Sequence, residues 1–236
     1  MARGHGKDSR VLVNATHMSG HISGWTYEHR RALSTVANLL SDGDQFLPGL
    51  LAGRVALVGN YDYDAGTIGP VIDTAEQTTD GLLTTICPFG LTVGKFAFIA
   101  AGNLSAREVT ASVTDAVRIN AEGTPNDGVD IGFLLHAVTA ETADGQATSV
   151  DNTASSANGA VASLHVTAFA GLTSAVLKVQ HSTDNSSWAD LITFTTATGT
   201  TWERKTATGT INRYLRAWWD VTGTGSITFA IAAARR

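Results

Sequence analysis

The chain has 236 residues and 24.6 kDa, with 43% hydrophobic and only 16% charged residues, 24 glycines, 4 prolines and one cysteine. That length buries a full core, and a lone Cys87 supplies neither an internal disulfide nor a zinc site. No apolar run reaches the roughly 20 residues of a membrane span, no signal-type apolar segment follows residues 1–10, and the net charge of −5 argues against a phosphate-binding basic patch. Charge this sparse, beside many Gly, Ala and Thr residues, predicts a β-rich chain part of whose surface is covered by other subunits.

The acid is unevenly placed. Residues 1–138 hold 9 Lys and Arg against 14 Asp and Glu, whereas residues 139–236 hold 7 of each. In the first part, runs of β-branched and aromatic residues predict strands at 11–13, 24–30, 54–61, 92–101, 109–120 and 128–137. Residues 72–86 predict the one helix, with Asp73 or Thr74 near its start and Pro88 beyond its end, although Gly81 interrupts it. Residues 41–53 form a loop with acidic, glycine-bearing flanks and an apolar centre of Phe46, Leu47, Leu50 and Leu51 around Pro48 and Gly49. An apolar loop of this kind docks on a neighbour unless it folds back on its own domain.

Residues 139–159 are polar and lack a long apolar side chain except Val150, so they predict a linker or surface arm. Beyond them, short strands at 161–169, 176–181, 191–195, 214–221 and 227–231 alternate with turn signals at Ala170-Gly171, Asp184 to Ser187, Thr198 to Thr200 and Gly223 to Gly225. Their spacing predicts a small antiparallel sandwich.

Sites of chemistry are sparse. His17 and His21 have metal-ligand spacing but sit among Ser19, Gly20 and Gly24, where a helix does not form. The acid pairs Asp42/Asp44 and Asp62/Asp64 lack the remaining oxygen ligands of a calcium loop, and Asp184 to Ser187 has the composition of a hairpin turn. No nucleophile elbow, phosphate loop or zinc-protease motif occurs, so neither an enzyme nor a cofactor is expected. Trp188, Trp202, Tyr214, Trp218 and Trp219 all lie in the C-terminal part, where Trp188, Trp202 and Trp219 are candidate surface contacts for a glycan. Adjacent Trp218 and Trp219 point to opposite faces of a strand, so one of them enters the core. The terminal Arg235 and Arg236 read as a solvated end or an intersubunit contact.

The segment Ile22-Ser-Gly-Trp25-Thr-Tyr-Glu-His-Arg-Arg31, followed by Asp44-Gln-Phe46-Leu-Pro48-Gly49-Leu50-Leu-Ala-Gly53-Arg-Val55-Ala-Leu57-Val-Gly59-Asn-Tyr61-Asp62, resembles the major tail tube proteins of long-tailed bacteriophages. The later stretches Glu108-Val-Thr-Ala-Ser-Val and Asp130-Ile-Gly-Phe-Leu-Leu-His136 resemble that family's closing strands, and the resemblance spans residues 12–137. The C-terminal part is similar to small β-sandwich domains appended to phage structural proteins.

The resemblance implies a mainly β architecture. A tail-tube-type sandwich or barrel with one helix spans residues 1–138, a linker spans 139–159, and an Ig-like antiparallel sandwich spans 160–236. It also implies hexameric rings, stacked through an N-terminal arm at residues 1–10 and a loop at about 34–53, with Phe46, Leu47, Pro48, Gly49, Leu50 and Leu51 as inter-ring contacts. The implied partners are further copies of the chain, the tape measure protein, and the tail terminator and distal tail proteins. The implied location is the virion tail, assembled in the host cytoplasm without membrane insertion. Duplex DNA would pass along an acid-rich wall that does not grip it. A capsid decoration protein, a head-to-tail connector and a glycan-binding tail module are the alternatives.

Overall fold

A computed structural model describes residues 5–36, 43, 45–79 and 81–236. The chain is mainly β and antiparallel, with a single α-helix among the described residues. After a short 3-10 turn at Gly6–Asp8, the strands are β1 (Arg10–Val13), β2 (Thr16–His17), β3 (Ile22–Thr35) and β4 (Phe46–Asn60). Helix α1 (Ile68–Gln77) precedes β5 (Leu82–Cys87), β6 (Phe96–Ser112) and β7 (Asp115–Glu141). The rest comprises β8 (Gly145–Gln146), β9 (Val150–Asp151), β10 (Ala160–Ser182), β11 (Ala189–Thr193), β12 (Thr201–Ala207) and β13 (Tyr214–Arg235).

Two long strands make the corner of the first part. β6 and β7 pair with each other over most of their length, but bulges at Ala100/Gly102 and Leu104/Ala106 and the left-handed Gly128 (φ 74°) bend the ribbon. On one side of the bend β7 joins β4, and β4 joins β3, giving a four-stranded layer in the order β3-β4-β7-β6. On the other side β6 joins β5, and β5 joins β1. The two layers close over Val11, Val13, Met18, Val55, Leu57, Ile86, Ile119 and Ala121, and α1 plugs the core with Ile68, Ile72 and Ala75.

The helix lies four residues earlier than the sequence predicts, and residues 82–86 of the expected helix are strand. Pro70 fits the first turn, where its missing N–H costs no hydrogen bond. Gly81 ends the segment, because a Cβ there would lie 2.6 Å from the Thr78 carbonyl oxygen. Leu82–Cys87 is buried at every position, which a strand covered on both faces achieves and an amphipathic helix does not.

β13 is hydrogen-bonded to β7 on one edge and β10 on the other, so the sheet runs without interruption from the first part into the second. The sheet curls until β10 faces β5 across Leu83, Cys87, Ala97, Ile99, Leu134, Val161, Ala232 and Ala234. Residues 160–166 are therefore buried on both faces, the alternate residues Leu164 and Val166 turning into the C-terminal core beside Phe194, Ile227 and Phe229. The expected turns at Gly171 and Gly223 are bulges inside β10 and β13: both glycines adopt positive φ, and the chain continues in strand. Residues 139–159, expected as a linker, contain β8 and β9, both paired with β13.

A buried polar cluster sits where β10 meets β5. His165 Nδ1 donates to the Asn14 carbonyl at 2.6 Å, so its Nε2 is the acceptor for the Thr85 hydroxyl at 2.7 Å, and Thr85 in turn accepts from Ser163 at 2.8 Å. Asn14, in left-handed backbone, donates to the Gly81 carbonyl and accepts from the Leu83 N–H. Burial lowers the His165 pKa to about 4, so the ring is neutral in the folded protein.

Candidate assembly surface

From Phe46 onward the expected apolar loop is strand. Residues 46–53 form the outer half of β4, paired with β3 through Thr35↔Phe46, Ser34↔Leu47, Leu33↔Pro48 and Arg31↔Leu51. The two strands make an antiparallel ribbon with a bulge between Arg31 and Leu33, which polar flanking residues and Pro48-Gly49 disguise in the sequence. Residues 37–42 and 44, including the Asp42 and Asp44 pair, lie outside the described residues, as do residues 1–4 of the expected N-terminal arm.

This outer ribbon pairs with nothing else among the described residues, since β7 joins β4 only from Val55 onward. Residues 29–36 and 46–52 are all exposed, on both faces of the ribbon. Leu50 is 86% exposed and Leu33 61%, with Val36, Phe46, Leu47 and Leu51 also exposed. A free two-stranded ribbon is marginally stable in water, and one with an apolar surface on both sides calls for a cover.

A second ribbon escaped the sequence reading, which takes 109–120 as a single strand. The chain reverses at Val113-Thr114, so β6 and β7 form a hairpin whose end bears Val109, Val117 and the wholly exposed Val113, at 105% of its reference area. The Thr114-Asp115 dipeptide is the turn signal that marks it. Ser112 and Asp115 close the hairpin, and Asp115 accepts from the Ala116 N–H and pairs with Arg118, which together lower its pKa.

Between the two ribbons lies the layer β3-β4-β7-β6, and both of its edges are open among the described residues. β3 pairs only with β4, and β6 beyond Asn103 pairs only with β7. Its core face carries Trp25, Tyr27, Leu57 and Ile119, with Tyr27 stacked on Phe98 at a centroid distance of 4.4 Å. Its other face carries Gly24, Thr26, Ala56, Val58 and Asn120, with Glu28, Glu108 and Glu122 against Arg30, Arg54 and Arg118. Arg54 is held by Glu122, Arg30 by Glu28 and Arg118 by Asp115. The face is thus balanced in charge, with three carboxylates and three guanidinium groups. Much of the excess acid is elsewhere: Asp73 and Glu76 hold Arg107, and Asp127 and Asp130 hold Arg204 and Arg236.

All fourteen exposed large hydrophobic residues among those described lie between Leu33 and Ile131. The C-terminal aromatics do not add to this surface. Trp219, a candidate surface contact in the sequence, is 5% exposed: its indole N–H donates to the Ala143 carbonyl at 3.0 Å, and its ring meets His136 and Phe229 edge-on. Trp202 is half-buried and packs against the core between β5 and β10. Trp188 is half-buried under the Arg216 guanidinium at 4.1 Å, and Trp218 lies under the Lys178 ammonium at 4.9 Å, so cations already occupy one face of each ring. Arg236 binds Asp130, and Arg235 donates to the carbonyls of Asn152 and Ala154, so the terminal arginines pair within the chain.

The other marked residues have local partners. His17 Nε2 lies 2.8 Å from the Ser19 hydroxyl, Asp62 accepts from the Asp64 N–H, and Asp184 accepts from the N–H groups of Ser186 and Ser187 in a tight turn. No group of three or more potential metal ligands occurs among the described residues, and no helix among them is long and apolar enough to cross a membrane.

The fold defines an antiparallel β protein with an exposed apolar surface confined to one part. Among solved structures, the chain is similar to the tail of an empty gene transfer agent particle of C6 symmetry (11% identity, TM-score 0.41, covering 54% of this chain and 97% of that one). It is similar also to the tail tube of phage SPP1 (15% identity, TM-score 0.43, covering 55% of this chain and 78% of that one). A third likeness, to the Dit protein of SPP1, described as a hub adsorption apparatus, covers 96% of this chain and 98% of that one at 10% identity and a TM-score of 0.36. The first two of these neighbours are tail components. No protein-family model and no curated protein matches the chain.

Proposed function

We propose that this chain is a structural subunit of a bacteriophage-type tail, which joins copies of itself into stacked rings whose bore passes duplex DNA. The observation that carries the reading is that ten of the fourteen exposed large hydrophobic residues among those described lie on two projecting ribbons and the open-edged layer between them, the others being Tyr63, Phe89, Phe96 and Ile131. Open strand edges beside apolar surface lead to aggregation unless closure removes them.

Strand direction supports a ring. β3 starts at the end of the layer that holds Asn60 and the β6–β7 hairpin, and β6 ends there. Two copies side by side with the same end up therefore offer β3 of one and β6 of the next as antiparallel partners. That contact joins unlike surfaces, so it repeats around an axis instead of stopping at a dimer. The balanced face of Gly24, Thr26, Ala56 and Asn120 then lines the bore, where arginines already bound to carboxylates have no surplus charge for phosphates.

The β3–β4 ribbon projects from the opposite end of the layer and is suited to reach the next ring, with Phe46, Leu47, Pro48, Gly49, Leu50 and Leu51 as its contacts. Six subunits per ring is the number that the tail-tube resemblance implies, as are contacts with the tape measure, tail terminator and distal tail proteins. In this reading residues 1–138 build the tube, residues 139–159 connect, and residues 160–236 lie outside the bore. The role is structural and not catalytic. Sedimentation of the full chain tests it: assemblies far larger than 24.6 kDa are expected, and a monomer at every concentration and salt contradicts the reading.

A further inference from the structure

Beside the first residues of β3, a cavity of about 570 Å³ opens between the Gly6–Asp8 turn with its continuation to Arg10 and the edge of the layer. Val11, Ile22 and Trp25 form its apolar wall, and Lys7 and Arg10 bring two cations to its rim. Arg10 donates to the carbonyls of Lys7 and Ser9, and neither cation makes an ion pair among the described residues. A Cβ on Gly24, which lines the cavity, would meet no atom within 4 Å. The site has walls and charge but no occupant from the described chain.

We propose that this cavity receives the end of the β6–β7 hairpin from a second copy of the chain, with Val109 and Val113 entering against Ile22 and Trp25. The inference rests on the ring reading above and names the contact that would order it. Ile22, Gly59, Ile119 and Val109 occupy one row across the layer on its core face. A copy pairing its β6 with β3 of this one in the register that continues this row brings its Val109 to the level of Ile22, and its Val113 to the same end of the sheet. Val113 has no cover among the described residues of its own chain. Apolar end meets apolar wall.

Two chains, each with one added cysteine, test it, because the native Cys87 is buried. Ser23→Cys, at the cavity, is mixed with Val113→Cys, both are assembled, and the mixture is oxidised, with Ser186→Cys in place of Ser23→Cys as the control. A disulfide forms only where Cα atoms come within about 7 Å. The expected result is a covalent Ser23→Cys/Val113→Cys dimer in assembled material and none with the control. Assemblies that give no such dimer overturn the hairpin contact while leaving the ring reading intact. Failure of the wild-type chain to assemble overturns both. Val113→Asp supplies an independent readout: an unchanged monomer Tm with loss of assembly is expected, and normal assembly contradicts the proposal.

Discussion

His165 on β10 donates from Nδ1 to the carbonyl of Asn14, 151 residues away in sequence and 2.6 Å away in space. Because a carbonyl only accepts, the bond fixes the tautomer, and the remaining ring nitrogen must accept from Thr85. A proton added to the ring would face a hydroxyl that now has to turn round, inside a site with no solvent.

That relationship sets a pH dependence. Burial lowers the folded pKa of His165 to about 4, below its ordinary value of 6.5, so the unfolded chain takes up the proton first. The neutral ring's contribution is intact above pH 6.5 and is lost as pH falls from 6.5 toward 4, a change of about 3 kcal/mol. The depressed pKa values of His17, His136 and His181 act in the same direction. Thermal denaturation of the full chain between pH 7.5 and 4 measures it, and His165→Gln, which does not titrate, flattens the slope. Equal slopes for the two proteins would contradict the assignment.

Gly132 lies where β7 meets β13, and a Cβ there would stand 2.1 Å from the Ala233 carbonyl oxygen. The nearest atoms are all backbone of Ala233 and Ala234, which leaves no flexible side chain to move aside. Gly132→Ala is expected to lower stability by about 1–3 kcal/mol through this overpacking, read as a shifted denaturation midpoint with urea. A change within about 0.5 kcal/mol would mean that the two strands separate more easily than their pairing implies.

Residues 160–236 cover Leu83, Cys87, Ala97, Ile99 and Leu134, which are all buried in the full chain. A chain ending at Val138 loses this cover, the β13 edge of β7 and the Ser163 and His165 partners of Thr85. Insoluble expression is expected, or a species that binds a hydrophobic dye strongly. A soluble fragment with a sharp unfolding transition would show that the first part completes its own core.

Leu47 and Leu50 project from the outer β3–β4 ribbon without contributing to the core. The double substitution Leu47→Asp with Leu50→Asp is expected to leave monomer stability within about 0.5 kcal/mol while abolishing stacking of rings. Light scattering at increasing concentration distinguishes the outcomes, and wild-type assembly by the variant would remove the ribbon from the contact.

The sequence patterns that were legible are those decided locally. Alternation in β10 and in the Arg54–Asn60 half of β4 marks strands, and the apolar cluster from Phe46 to Leu51 marks an exposed surface irrespective of its backbone shape. The helix boundary was not legible, because Leu82–Cys87 owes its strand conformation to neighbours on both faces. Gly171 and Gly223 look like reversals in sequence and are bulges in space, since only the opposite strand determines whether the chain turns or merely bends. β12, with Glu203, Arg204 and Lys205 at its centre, carries no β signature and is a strand because it covers the edge of β10. The balance of charge on the layer's face depends on pairs such as Arg54 and Glu122, 68 residues apart. Trp219 enters the core and Trp218 does not, a choice that the face of β13 makes.

Electron microscopy of the purified full-length chain at high concentration tests the central claim most directly. The account predicts rings that stack into tubes with a continuous bore. Monomers alone, across all salt concentrations, would contradict it.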